Sequence, residues 1–179
     1  MVHRLRDRLD KLIDDESRSL RPIGMSVRDA AARTGALLDR FTEAPGVRLY
    51  AGIRLTERGP RVGFAVMTAS RVLLVESVAW PSGAYSVTPE GCVLCDGVYI
   101  GQSVTPLLCS VRLLRRVSRG RQVGAAVVVH PAGDGAPSLP APSAAGPSWL
   151  PPGAVGPHIV RRLRLRRRHQ AYCHIDNNI

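Results

Sequence analysis

Glu76 is the residue of this chain whose type and position most suggest a chemical role. It follows four apolar residues, Val72–Val75, in a segment whose composition is typical of a buried β-strand. A carboxylate at such a position is costly unless it is paired, bound to a metal or placed at the mouth of the strand. Glu76 therefore either reaches solvent or an arginine at the end of its strand, or belongs to a metal-dependent site.

A metal site at Glu76 would need a second oxygen donor, because a single carboxylate binds Mg²⁺ weakly. Asp96 is the best candidate for a second catalytic acid, followed by Glu90. The dipeptide that Asp96 begins is also an ordinary turn sequence, which is its alternative role. His130 ends a Val-rich segment, where α/β proteins often place functional groups and where a histidine also serves to cap a sheet.

Other chemistries find little support in the sequence. The chain has no P-loop, no GxGxxG, no HExxH and no GxSxG motif. Cys92 and Cys95 have the spacing of half a zinc knuckle or of a redox pair. Residues three apart in a strand point to opposite faces, and no second CxxC follows, so these cysteines are expected to be small core residues. Neither a zinc site nor a disulfide is predicted.

The elements that must position Glu76 follow from hydrophobic spacing and turn signals. Ser26 reads as an N-cap with Asp29 three residues later, which starts an amphipathic helix over residues 27–42. A hairpin of strands 62–67 and 71–78 follows, and the second strand is apolar on both faces, so it should be central in its sheet. The other predicted elements are a helix at 3–17, strands at 47–55, 84–88, 92–100 (broken near residue 96), 122–130 and 148–150, and helices at 103–119 and 155–168.

The predicted architecture is one α/β domain with a central mixed β-sheet flanked by helices. Residues 1–25 would form an N-terminal helix and linker, residues 26–168 the α/β domain, and residues 169–179 a flexible tail. A Pro-, Ala- and Gly-rich loop spans residues 131–148. Parallel pairing is expected between strand 71–78 and strand 122–130, which the helix between them connects.

The net charge of +11 favours a polyanion as partner, because arginine and lysine neutralise phosphates. Lys11 is the single lysine, and a GC-rich genome would produce the same bias toward Arg, Ala, Gly and Pro codons. The arginines near the C-terminus would lie along a phosphate backbone or form a solvated basic face of a helix. The predicted nucleic-acid-binding residues are Arg161, Arg162, Arg164, Arg166, Arg167 and Arg168.

No stretch of the sequence approaches the roughly 20 apolar residues of a membrane span. The basic N-terminus has no apolar segment behind it and is unlike a signal peptide. The chain is therefore expected to be cytoplasmic, with DNA or RNA as the partner class and no membrane partner. Its oligomeric state is not predicted.

The segment Arg61–Val87 contains a hairpin, an apolar strand ending in Glu76, a small residue, Trp80 and a turn at Gly83. In this layout it resembles the nuclease-related domain (NERD) of the PD-(D/E)XK nuclease superfamily. The next segment is similar too, since Asp96 precedes a Pro-bearing amphipathic helix and a Val-rich strand. The resemblance covers roughly residues 27–130 and implies a restriction-endonuclease-like core.

The resemblance also implies a site. In that superfamily an acid on the first hairpin strand and the Glu of the second strand bind a divalent metal, and a Lys two residues later positions the attacking water. Glu76 is accordingly the implied catalytic and metal-binding residue. Gly63 stands at the position of the acid and Val78 at that of the lysine. The family's helical glutamine would fall near Cys109, with Gln102 a turn earlier.

Three hypotheses follow from the sequence. The leading one is a catalytically degenerate nuclease-like domain that keeps nucleic-acid contact through its arginines and needs no cofactor. The second is an active, atypical nuclease that holds Mg²⁺ or Mn²⁺ with Glu76 and Asp96. The third is a protein–protein interaction module with no nucleic-acid role.

Overall fold

The structure, a computed structural model, describes residues 24–118 and 120–165. The helix predicted at 3–17 and the tail predicted at 169–179 lie outside the described residues. The elements are α1 (Val27–Asp39), a 3-10 helix (Arg40–Glu43), β1 (Arg48–Arg54), β2 (Arg61–Met67), β3 (Arg71–Trp80), β4 (Tyr85–Val87), β5 (Cys92–Cys95), β6 (Val98–Ser103), α2 (Thr105–Val117), β7 (Gln122–Pro131), β8 (Ser148–Leu150), a second 3-10 helix (Pro152–Ala154) and α3 (Val155–Leu163).

The main sheet has five strands in the order β1-β2-β3-β7-β8. Strands β1, β2 and β3 are antiparallel neighbours, whereas β7 is parallel to both β3 and β8. The β3–β7 register runs without interruption from Arg71 opposite Gln122 to Trp80 opposite Pro131. The predicted central position of Val72–Val75 and the parallel pairing of β3 with β7 are therefore confirmed, as is the short edge strand β8.

The predicted central mixed sheet is confirmed, but β4, β5 and β6 do not join it and form a separate three-stranded antiparallel sheet. The predicted broken strand 92–100 is a hairpin. Asp96 and Gly97 both have positive φ, at 51° and 80°. Two successive left-handed residues are the geometry of a type I′ turn, so the chain reverses here and Cys95 pairs with Val98.

Helices cover both faces of the main sheet. Helix α1 begins as predicted, since the Ser26 hydroxyl accepts a hydrogen bond from the Asp29 amide at 3.1 Å. It packs with α3 on one face, where Leu38, Phe64 and Ile159 belong to one buried cluster. Helix α2 and the three-stranded sheet cover the other face and bury a second cluster. Alternate residues of β3 therefore point into different cores.

Helix α3 is shorter than the predicted helix 155–168. It ends at Leu163, because Arg164 adopts a left-handed conformation with φ 52°. The amides of Arg164 and Leu165 turn back to carbonyls of the last helical turn, with Leu165 donating to Val160 at 3.1 Å. Such a left-handed residue closes a helix end by satisfying its last carbonyls. The basic helical face expected near the C-terminus therefore ends before Arg164, which is not helical.

Within residues 24–118 and 120–165, none of the helices combines the length and the apolar character that crossing a bilayer requires.

Candidate functional site

Glu76 lies on β3, on the face that α2 and the three-stranded sheet cover. Leu74, two residues earlier, and Val78, two residues later, both belong to the hydrophobic cluster of that face, and side chains two apart in a strand share a face. Glu76 is half-buried, at the point where the apolar run of β3 ends. A lysine in place of Val78 would therefore share the face of Glu76, but Val78 supplies only apolar contact there.

The hairpin pairing of β2 and β3 stops one residue short of Glu76. The last ladder pair joins Phe64 with Val75, and beyond it the Gly63 amide donates to Glu76 Oε1 at 3.0 Å. The carboxylate thus replaces a strand carbonyl as the acceptor for this amide.

The backbone of β2 rotates at Gly63. Val62 belongs to the same buried cluster as Leu74, whereas Phe64 and Val66 belong to the cluster on the opposite face. Residues two apart would share a face in a regular strand, so the alternation of side chains shifts at Gly63. The neighbouring strand has Gly52, with φ 59°, at the corresponding level of the β1–β2 ladder. This local distortion turns the Gly63 amide toward Glu76.

Gly63 and Glu76 are immediate neighbours across the hairpin. A Cβ atom built at Gly63 would lie 3.1 Å from Glu76 Oε2 and 3.3 Å from the Val75 carbonyl oxygen. A side chain at position 63 would therefore begin against the carboxylate of Glu76. The position at which the resemblance expects a second acid adjoins Glu76 and carries no side chain.

Asp96 lies in the three-stranded sheet, whereas Glu76 lies in the main sheet. Its Oδ1 accepts a hydrogen bond from the Ala84 amide at 2.9 Å, and the Cys95 thiol lies 3.7 Å from its Oδ2. These contacts hold the β5–β6 turn against the start of β4, which is the turn role considered for Asp96. Glu90 is exposed, and a hydrogen bond from Thr88 lowers the pKa of its carboxyl group.

Other candidate groups have structural partners. The Gln102 side chain is on β6, and its Oε1 accepts a hydrogen bond from the Trp80 indole at 2.9 Å. Cys92 and Cys95 are both free and half-buried on β5. Among the described residues, no three side chains of the His, Cys, Asp and Glu types are grouped so that they could hold a metal ion.

A buried polar cluster that the sequence did not predict joins α1, β3 and β7 on the opposite face of the sheet. The Thr34 hydroxyl lies 2.7 Å from His130 Nε2 and 2.9 Å from the Ser77 hydroxyl. Thr34 and His130 are buried and Ser77 is half-buried. Burial lowers the pKa of His130, and the nearby Arg33 lowers it further, so His130 is held neutral near pH 7.

Two sequence signals point to this cluster. Thr34 is a polar residue at a core position of the α1 stripe, and His130 ends the Val-rich strand. The parallel register places Ser77 opposite Val128, which belongs to the buried cluster under α1, and Ala79 opposite His130. The side chains of Ser77 and His130 therefore both point to the α1 face. Which polar side chains meet there depends on how α1 packs on the sheet, and local spacing does not determine it.

Of the six predicted nucleic-acid-binding arginines, Arg161 and Arg162 lie in the last turn of α3, and Arg164 is its C-cap. All three are exposed. Arg166, Arg167 and Arg168 lie outside the described residues. The Arg71 side chain, at the start of β3, donates to the Arg162 carbonyl at 2.6 Å, so the end of α3 is attached to the amino end of the central strand.

Comparisons of this chain with protein-family models, with curated proteins and with solved structures give no match.

Proposed function

We propose that this chain is a nuclease-like α/β domain that binds nucleic acid through its arginines without hydrolysing it. The observation that carries the proposal is the hydrogen bond from the Gly63 amide to Glu76. Hydrolysis of a phosphodiester by bound metal needs several oxygen ligands and a positioned water. Here the carboxylate of Glu76 accepts a backbone amide, and the adjacent position 63 offers no ligand.

The arrangement around Glu76 supports a nuclease-like, restriction-endonuclease-like core. A hairpin leads into a central strand that carries the carboxylate, and a helix then returns the chain to a parallel neighbour of that strand. These are the parts on which the resemblance rests. Val78, two residues beyond Glu76 on the same face, lacks the charge that a water-positioning lysine would supply.

The distribution of charge supports nucleic acid as the partner. Between Gly97 and Ile175 the sequence holds eleven arginines and one acidic residue, Asp134. Because phosphate contacts release condensed counterions, binding of this kind weakens steeply as salt concentration rises. A basic charge that merely reflects genome composition would be expected on all parts of the chain.

Two measurements test the proposal. Purified protein is incubated with supercoiled plasmid and Mg²⁺ or Mn²⁺, next to the Glu76→Gln variant, and binding to labelled DNA is measured over a salt series. We expect equal, background nicking by both proteins and binding that weakens with salt. Cleavage that depends on Glu76 would instead identify an active nuclease, and absence of binding even at low salt would favour a protein–protein module.

A further inference from the structure

Arginines from four separate segments meet at one end of the main sheet, along the edge formed by the first residues of β3 and β7. Arg71 is the first residue of β3, and Arg121 directly precedes β7. Helices α2 and α3 both end at this edge: Arg115 in the last turn of α2 contacts the second residue of β7, and the Arg162 carbonyl contacts Arg71. The fold therefore gathers basic residues that lie up to about ninety positions apart in the sequence.

Hydrogen bonds to backbone carbonyls fix three of these guanidinium groups. Arg71 donates to the Arg162 carbonyl at 2.6 Å, and Arg121 Nε donates to the carbonyl of Ala69 at 3.2 Å. Arg115 donates to the Val123 carbonyl through Nε at 3.1 Å and through Nη2 at 2.9 Å. A guanidinium has five N–H donors, so each of these groups keeps donors for a further acceptor while its orientation is held.

Stabilisation of helix ends does not account for the whole group. Arginine in the last turn of a helix complements the negative end of the helix dipole, which explains part of the preference at Arg115, Arg116, Arg161 and Arg162. Arg71, on β3, also complements a helix end, because it donates to a carbonyl in the last turn of α3, whereas Arg121 donates to Ala69 in the turn between β2 and β3.

The acidic residues of the neighbouring elements lie at the opposite end of the sheet or on its β1 side. Asp134 follows the carboxyl end of β7, at the end of the sheet opposite to these arginines. Asp39 and Glu43 lie at the end of α1 and in the 3-10 helix that leads to β1, whose first residues are level with those of β3 but separated from them by β2. The edge formed by β3, β7 and the ends of α2 and α3 therefore holds an excess of arginine over acidic residues.

We propose that this arginine edge binds the phosphate backbone of double-stranded nucleic acid, and this inference rests on the proposed nucleic-acid-binding function. The arginine edge consists of Arg71, Arg115, Arg116, Arg121, Arg161 and Arg162. It extends the arginines of α3, which the sequence singled out, to a surface shared by α2, β3 and β7. It is separate from the neighbourhood of Glu76, which lies further along β3.

The spacing of the arginine edge fits two strands of phosphate. Helices α2 and α3 lie on opposite faces of the sheet. Since a helix with its side chains is about 10–12 Å across, the two groups of arginines are separated by roughly 20 Å, with Arg71 and Arg121 between them. A groove of B-form DNA about 12 Å wide is bordered by phosphates of both strands, so the two groups can contact both if their long arginine side chains each reach roughly 4 Å inward.

Single strands are a poorer fit, because their binding depends on aromatic side chains on which bases stack. Among the described residues, the exposed aromatic side chains are Tyr50 and Tyr99. Tyr50 is on β1 and Tyr99 is on β6, so neither lies on an element that forms the arginine edge.

The test compares two double variants of the full chain with equal loss of charge. Arg116→Gln with Arg161→Gln removes two exposed arginines of the edge that make no bond to the sheet. Arg58→Gln with Arg61→Gln is the matched control, because both residues are exposed at the opposite end of the sheet. Binding to a duplex of about 20 base pairs and to one of its strands is measured over a salt series, and thermal melts verify folding.

We expect the edge variant to bind the duplex more weakly than the wild type and to reduce the slope of log Kd against log salt by about 2, roughly one unit per lost phosphate contact. The control variant should keep the wild-type slope. Equal losses in both variants, or tighter binding of the single strand, would overturn the assignment to the arginine edge while leaving nucleic-acid binding itself intact. Absence of wild-type binding at low salt would overturn both proposals.

Discussion

The Gly63 amide donates a hydrogen bond to Glu76 Oε1 across the β2–β3 hairpin at 3.0 Å. The bond takes the place of the next ladder pair, which does not form beyond Phe64 and Val75. A half-buried amide without an acceptor costs free energy, so the carboxylate stabilises the distorted part of β2. Glu76 thus has a structural role at the position where the sequence suggested chemistry.

Substitution of Gly63 tests whether the metal site lacks only a ligand. Gly63→Asp would place a second carboxylate against Glu76, since its Cβ would lie 3.1 Å from Glu76 Oε2. We expect this variant to be less stable than the wild type and to regain stability with Mn²⁺. At a metal concentration ten times Kd the gain is about 1.4 kcal/mol, measured as a rise in Tm.

Gly63→Asn is the matched control for that experiment, because it has the same shape without the charge. It should lose stability for the same steric reason and show no recovery with Mn²⁺. If the wild type and Gly63→Asn respond to Mn²⁺ as strongly as Gly63→Asp, the carboxylate pair is not the cause and the explanation is wrong.

Variants of Glu76 separate its hydrogen bond from its charge. Glu76→Gln keeps an oxygen that can accept the Gly63 amide, whereas Glu76→Ala removes the acceptor. We expect Glu76→Ala to lower the free energy of unfolding by about 1–2 kcal/mol more than Glu76→Gln does, measured by urea denaturation. Equal losses in the two variants would mean that the amide bond contributes nothing measurable.

Much of the main sheet was predictable because its signals are local. Val72–Val75 is apolar on both faces, which is typical of a central strand, and Ser26 with Asp29 has the spacing of a helix cap. The left-handed conformation of Arg164, which ends α3, has no such signal, because arginine is not a residue that favours it. The sequence therefore predicted where α3 begins but not where it ends.

The second sheet and the polar cluster depend on contacts between distant segments. Alternation along β4, β5 and β6 predicts strands but not which sheet they join. Asp96 and Gly97 have the composition of a turn, but the sequence does not show that both residues are left-handed and so join two paired strands as a hairpin. Thr34 and His130 are 96 positions apart, and their contact follows from the docking of α1 on the sheet.

The Thr34 hydroxyl should contribute strongly to stability. Thr34→Val keeps the shape of the side chain but removes the partner of His130 Nε2 at 2.7 Å and of the Ser77 hydroxyl at 2.9 Å. Because a buried polar group left without a partner costs about 1–3 kcal/mol, we expect a loss of that size in the free energy of unfolding. Ser77→Ala is the control, and its loss should be smaller, since Thr34 and His130 remain bonded to each other. A Thr34→Val variant as stable as the wild type would contradict this role.

Buried histidines should make the protein less stable in mild acid. Burial lowers the pKa of His158 from 6.5 to about 4, with smaller contributions from Arg162 and Arg161. Among the described residues, its Nε2 is buried without a hydrogen-bond partner. The unfolded chain takes up a proton near pH 6.5 and the folded chain does not until about pH 4. Stability is therefore fully present above pH 6.5, falls as pH decreases from 6.5 to about 4, and levels off below that.

The variant His158→Leu isolates this effect. It removes the titrating group and the buried Nε2 that has no partner, and fills the site with apolar atoms; the bond given up, at 3.4 Å between His158 Nδ1 and the exposed Arg161 side chain, is long and contributes little. We expect similar stability to the wild type at pH 7 and a smaller loss between pH 6.5 and 4, by up to about 3 kcal/mol for a shift of this size. The measurement is urea denaturation at several pH values. His130, whose pKa is also lowered, should account for part of the loss that remains in the variant. An unchanged pH profile in His158→Leu would show that His158 is protonated in the folded chain at an ordinary pKa.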